Sequence, residues 1–254
     1  MHFDKSLGWS QVGTVNAMMP PQSFTFILQI MSQSLRPKDA ATLVLIRRSG
    51  EQPEVLLGQR HGAHAFMPNR YVFPGGSVDP SDNRVRPATP LDSSVASRLE
   101  KTCGRARARA LSVAAVRETY EETGLMLAEP MPDGYPTSKA PAWGDFAALG
   151  LGPALDRLDY VCRAITPPGR PRRFHARFFM ADEVHLRGKI KSSGELLDIK
   201  WVPLAEAVTM PIPSITRHVI KEVMNLIKNP PAAGNARTIP VYRVRYGKHT
   251  YERE

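Results

Sequence analysis

Arg117-Glu118-Thr119-Tyr120-Glu121-Glu122-Thr123-Gly124-Leu125 spaces three carboxylates at i, i+3 and i+4, which a helix turns onto one face. Like charges so placed repel, and a helix carrying them loses stability unless positive charge stands against them. Two readings compete. One is a solvated acidic face, the usual fate of helical charge runs. The other is a cluster that gathers a divalent cation. Oxygen-only donors suit a hard ion, and Mg²⁺ suits them best, because it keeps several waters and takes one or two carboxylates together with substrate phosphate. Gly124 is the residue with which such helices commonly end.

Working outward, Tyr71-Val72-Phe73-Pro74-Gly75-Gly76 reads as a short apolar strand entering a Pro-Gly-Gly turn. The missing side chains there let a backbone approach a ligand closely, which favours the cation reading. Together the two stretches resemble the Nudix box, G-x5-E-x7-R-E-U-x-E-E-x-G-U, with U a bulky apolar residue. Gly76 matches the first glycine, and Asp82 stands at the first acidic position in place of Glu. Arg117, Glu118, Glu121, Glu122, Gly124 and Leu125 match the second half, with Thr119 where an apolar residue is usual. Between Asp82 and about Arg109 the chain carries an insertion, which must leave and return in register for the box to close.

Further stretches resemble the Nudix subfamily with such a split box, that of the peroxisomal mammalian coenzyme A diphosphatase and its bacterial relatives. They are Ile165-Thr166-Pro167-Pro168 with Arg173 to Ala181, Glu195 to Leu204, and Pro240-Val241-Tyr242-Arg243. The resemblance implies an α/β fold, the Nudix α/β/α sandwich with a mixed sheet and inserted helices. It also implies a metal-dependent diphosphatase that cleaves a nucleoside diphosphate linked to X, foremost coenzyme A or acyl-coenzyme A. Capped RNA, nucleotide sugars or dinucleotides are the other substrates, and a nucleotide-sensing module that no longer cleaves is the alternative of a different class.

By the same resemblance Glu118, Glu121, Glu122 and the Gly76 carbonyl hold Mg²⁺ or Mn²⁺, and Arg117 orients the glutamates by ion pairing. The general base is Glu118 or an acidic residue on a later loop, with Glu195 first and Asp198 in reserve. The run from Leu56-Leu57-x-x-Arg60 to Gly76 loosely resembles a coenzyme A recognition motif, which turns Arg60 toward an anionic substrate and leaves Arg70 between substrate and a surface salt bridge. Asn69 stands where that motif has Gly, and Asn tolerates a left-handed backbone. Arg173 to Ala181 alternates as a strand. On it Arg177 is a candidate phosphate contact, while Phe178 either stacks a base or packs in the core. His175-Ala176 replaces the Asp-Thr usual in the subfamily, and His175 reads as structural or exposed.

The chain has 254 residues, 42% of them hydrophobic, enough for a sizeable core in one domain. A formal net charge of +10 attracts anions. Aromatic residues make up 7% and nowhere interleave with basic ones as a single-strand stacking surface does, which argues against nucleic acid as partner. A small nucleoside diphosphate derivative would use the same field, and a homodimer stays open. No apolar window has the length of a membrane span. Cys103 and Cys162, the two cysteines, form neither a metal-type pair nor a disulfide framework, so a reducing, cytoplasmic setting is expected.

Residues 1–37 read as a loosely ordered arm, and 38–254 as a single domain with insertions at about 83–108 and 129–158. Ala41 to Ile46 and Val55 to Arg60 read as the opening strand pair. Asp92 caps a short helix through Leu99, and the helix bearing the glutamates runs from about Arg105 to Thr123. Trp143 to Leu158 reads as one or two added helices that could form part of a substrate lid. Ile199 to Val202 reads as a strand, Leu204 to Ala207 as a short helix and Ser214 to Lys228 as an amphipathic helix. Val241 to Val244 gives a late strand.

Overall fold

The computed structural model describes residues 35–62, 68–131, 141–231, 237–245 and 248–254. The chain divides into two units, Met1–Leu35 and Arg36–Glu254, and the second carries all that follows. Most of the expected arm over 1–37, and residues 132–140 of the second insertion, lie outside the described residues.

The apolar run Ala41 to Ile46 forms the centre of β1 (Lys38–Arg47). β1 turns back into β2 (Glu54–Arg60), antiparallel to it with Ile46 opposite Val55. β3 (Tyr71–Val72) pairs with β2. β4 (Gly75–Ser77) then returns to β1 and sets Gly76 opposite Ala41. On the other side of β1, β8 (Phe174–Asp182) runs parallel to it. β7 (Asp159–Ile165) lies antiparallel to β8, and β11 (Pro240–Arg245) parallel to β7. β12 (Lys248–Arg253) continues beyond β11, while β10 (Leu196–Pro203) borders β2. Among the described residues this is a mixed sheet of nine strands.

Side chains alternate across a strand, and that alternation divides the core. Leu43, Leu45, Phe179 and Ala181 face one cluster, with Leu99, Leu111, Ala114 and Ala115 from the helices α1 (Ser93–Glu100) and α2 (Arg105–Thr123). Val44, Ile46 and Phe178 face the other, with residues of α4 (Leu204–Ala207) and α5 (Ser214–Lys228). The sheet is therefore the middle layer of an α/β/α sandwich. α2 begins after Gly104 and stops at Gly124, whose φ of 74° closes the helix in the left-handed region. Alanines 108, 114 and 115 are buried, and their small side chains let the helix lie close to the sheet. α1 is capped by Asp92, whose carboxylate accepts the Ser94 and Val95 N–H groups.

In the second insertion one α-helix of the one or two expected is present among the described residues, α3 (Pro141–Ala148); Gly150, at φ 64°, ends it. Leu151–Pro153 forms β6 and Leu155–Arg157 a single 3₁₀ turn, in place of a second helix. β6, β5 (Leu125–Pro130) and β9 (Leu186–Gly188) make a separate three-stranded sheet. No described helix is long and apolar enough to cross a membrane.

Candidate active site

The two halves of the split motif meet through one buried arginine. Arg117 Nε donates to Asp82 Oδ1 at 2.8 Å, and Nη2 donates to Asp82 Oδ2 at 3.1 Å and to the Ser77 carbonyl at 2.9 Å. Nη1 reaches Glu118 Oε1 at 2.9 Å and Glu121 Oε2 at 2.7 Å. The planar guanidinium thus ties the helix, the β4 strand end and the Asp82 turn into one unit, a task suited to its fixed fork of donors. Asp82 is fully buried, and its own position is set locally: Asp79-Pro80-Ser81-Asp82 opens a 3₁₀ turn with reciprocal capping between Asp79 and Asp82. Burial opposes the Arg117 charge, but the hydrogen bond to Asp82 and the charges of Glu118, Asp82 and Glu121 outweigh it and hold the proton more firmly than usual.

Glu122 is buried, and its Oε2 accepts the Gly75 N–H at 2.8 Å. Gly76 lies so close to Glu118 that a Cβ there would stand 2.4 Å from Glu118 Oε2. Both glycines of the turn are therefore used for close approach. Burial pushes the Glu118 carboxyl up to about 7, against the lowering effect of Arg117. Burial likewise pushes Glu122 up to about 8; the Gly75 N–H and Arg60 pull it down, while Glu118 and Glu195 push it up.

Glu195 and Arg60 are near enough to Glu122 to act on its charge. Glu195 is exposed, on the segment entering β10, and its carbonyl accepts the His61 N–H at 3.2 Å. Leu196 follows it opposite Arg60. Arg70 is exposed and its carbonyl accepts the Arg60 N–H at 3.0 Å. Asn69 does adopt the left-handed region, at φ 58°.

Arg177 and Phe178 are not brought to this cluster. Arg177 is 2% exposed; its Nη1 is ion-paired with Asp39 and donates to the His175 carbonyl at 3.0 Å. Phe178 is buried on the opposite face of the sheet, in the cluster that contains Val44, Tyr71 and Phe73. Adjacent strand residues point to opposite faces, so this pair cannot serve one site together. Sequence reasoning missed the Gly75 N–H and the Ser77 carbonyl as partners and left Asp82 as a motif match without a task. The D-P-S-D turn, with its capping pattern, was the available signal.

The donor set fits a hard divalent cation in its chemistry. Glu122 is buried and Glu118 partly so, both carboxyls resist ionisation, and a cation beside them would restore it. Their present partners are protein groups, and among the described residues no group of three or more His, Cys, Asp or Glu side chains is arranged to hold a metal ion.

No protein-family model matches the chain. A curated Caenorhabditis elegans protein named "Putative nudix hydrolase 7" is 28% identical over 186 residues, 67% of this chain. The match spans 53% of that relative's length. Among solved structures, a NUDIX hydrolase from Alicyclobacillus acidocaldarius is similar with a TM-score of 0.56 and 30% identity, covering 78% of this chain and 94% of that one.

Proposed function

Because the chain belongs to the Nudix hydrolase family, we propose that it hydrolyses the diphosphate linkage of a nucleoside diphosphate joined to a further group, with coenzyme A or acyl-coenzyme A as substrate. The observation that carries the reading is the pair of half-buried Glu118 and buried Glu122, set against the Gly75-Gly76 backbone and braced through Arg117 to Asp82. Glu118, Glu121, Glu122 and the Gly76 carbonyl would hold Mg²⁺ or Mn²⁺. The cation would neutralise diphosphate oxygen charge and lower the pKa of attacking water.

The chain's own groups do the rest. Arg117 keeps Glu118 and Glu121 on the substrate side of the helix. The Gly75 N–H fixes the rotamer of Glu122. Arg60, whose charge acts on Glu122, supplies positive charge where a substrate phosphate would enter, and Arg70 extends that field at the surface. Glu195 takes the proton from water during attack, which suits an exposed carboxylate whose charge acts on Glu122 better than Glu118, already engaged by Arg117 and packed on Gly76.

The test is cleavage of coenzyme A, acyl-coenzyme A, ADP-ribose, dinucleotides and capped RNA, with Mg²⁺ or Mn²⁺ and then with chelator. Metal-dependent release of 3′,5′-ADP from coenzyme A is expected. Cleavage confined to another member of the panel would overturn the substrate, and metal-independent cleavage would overturn the glutamate assignment.

A further inference from the structure

β10 does not run straight into the site. Its pairing with β2 slips between Leu197 and Lys200, a bulge, and inside it Asp198 holds φ 42°, a left-handed conformation costly for a residue with a side chain. Asp198 Oδ2 accepts from Tyr71 OH at 2.5 Å and from Lys200 Nζ at 2.7 Å. Lys200 Nζ also lies 3.3 Å from Tyr71 OH and 5.0 Å above the tyrosine ring. An exposed Asp–Lys pair alone is worth little. Tyr71 changes the case, because it is buried and comes from another strand. Tyr71 and Leu197 both pair with Gln59, so the phenol crosses over β2 to reach the bulge.

The tie therefore joins two pieces of the site. On one side, β3 leads through Pro74 into the Gly75 N–H that fixes Glu122. On the other, the bulge sets the register in which Leu196 stands opposite Arg60 and the Glu195 carbonyl accepts the His61 N–H at 3.2 Å. Gly58 admits this register: a Cβ there would stand 2.9 Å from Leu196 Cβ. We propose that Asp198, clamped by Tyr71 and Lys200 at the β10 bulge, is a positioning residue that fixes Glu195 beside Arg60 and His61, at the entrance to the glutamate cluster. This rests on the reading of Glu195 as the base.

The experiment compares Asp198→Gly, which tolerates the left-handed backbone and removes the clamp, with Asp198→Asn and Tyr71→Phe. Each is made in the native chain and in Glu195→Gln. Asp198→Gly is expected to lower kcat about 10- to 100-fold, the scale of a small misplacement of a reacting group, with KM little changed. Asp198→Asn restores most of the rate, and in the Glu195→Gln background Asp198→Gly costs nothing further. An equal loss in both backgrounds, or no loss in the native chain, overturns the proposal. Amide hydrogen exchange separates its failure from failure of the substrate reading, since it needs no turnover. Faster exchange of the His61 N–H in Asp198→Gly and Tyr71→Phe, with unchanged melting temperature, supports the clamp even if the panel shows no cleavage. Unchanged exchange overturns it.

Discussion

At Glu122 a charge can be removed with almost no change of shape. The side chain is buried, held by one backbone N–H, and already biased toward its protonated form. Glu122→Gln should therefore fold as the native chain does while kcat falls by about 10²-fold or more, because stabilisation of developing charge is lost. Steady-state kinetics beside a thermal melt checks both halves, and retained activity would sink the assignment. Arg117 makes the opposite case. Arg117→Met leaves Asp82 buried without its cation, and breaking such a pair costs about 3–5 kcal/mol. Urea denaturation should show that loss as a lower midpoint. These residues were legible because chemistry fixes their types: three carboxylates on one helical face, and a turn without side chains. Phe178 takes the packing alternative, while Arg177 stands apart from the cluster because residue type says nothing about which groups a neighbour already occupies. Asp39 takes the Arg177 guanidinium, and no pattern around Arg177 announces a partner so far away in the chain.

At the level of elements, the first insertion is part of the core. α1 buries Val95 and Leu99 in the cluster that also contains Leu111 and Phe179. Leu99→Ala should cost about 2–5 kcal/mol, as cavity-forming core truncations do, read as a lower denaturation midpoint. The connection ahead of α1 should be far more tolerant. Six Gly/Ser residues placed between Arg86 and Pro87 should cost less than about 1 kcal/mol, since closure entropy grows slowly with length, and catalysis should survive. Two helices were legible to within a residue or two: Arg105–Thr123, bounded by Gly104 and Gly124, and the amphipathic Ser214–Lys228, stopped by Asn229-Pro230-Pro231. Strands β5, β7, β9 and β12 were not. β5 starts directly after Gly124, so nothing but the glycine separates it from the helix. β9 is only three residues long, and β12 is rich in charged residues. Pairing partners decide such segments, and partners lie far off in sequence.

Across the whole unit Arg36–Glu254, a charged network joins the start of α2 to the sheet. Arg107 Nε donates to Asp39 at 2.7 Å, Arg177 pairs with the same carboxylate, and Arg163 pairs with Glu254 and approaches His175 Nε2 at 2.9 Å. Burial, then the charges of Arg177 and Arg163, depress His175 from 6.5 to about 4. The unfolded chain thus takes up a proton near pH 6.5 that the folded chain refuses until about pH 4. Stability is complete above that window and falls as pH drops through it. His175→Gln should flatten the decline between those limits, measured as the urea midpoint against pH, and an unchanged slope would remove His175 from the account. The buried Arg117–Asp82 contact has a consequence of another kind. It joins the two halves of the motif through space although they stand 35 positions apart along the chain, so the loop ahead of α1 can change in length without moving the site. Proteins that keep this contact while their detours grow or shrink would hold the same glutamates in the same place and yet fit no pattern of fixed spacing. Kinship among them is to be sought in shared contacts, because spacing along the chain is the property that drifts first.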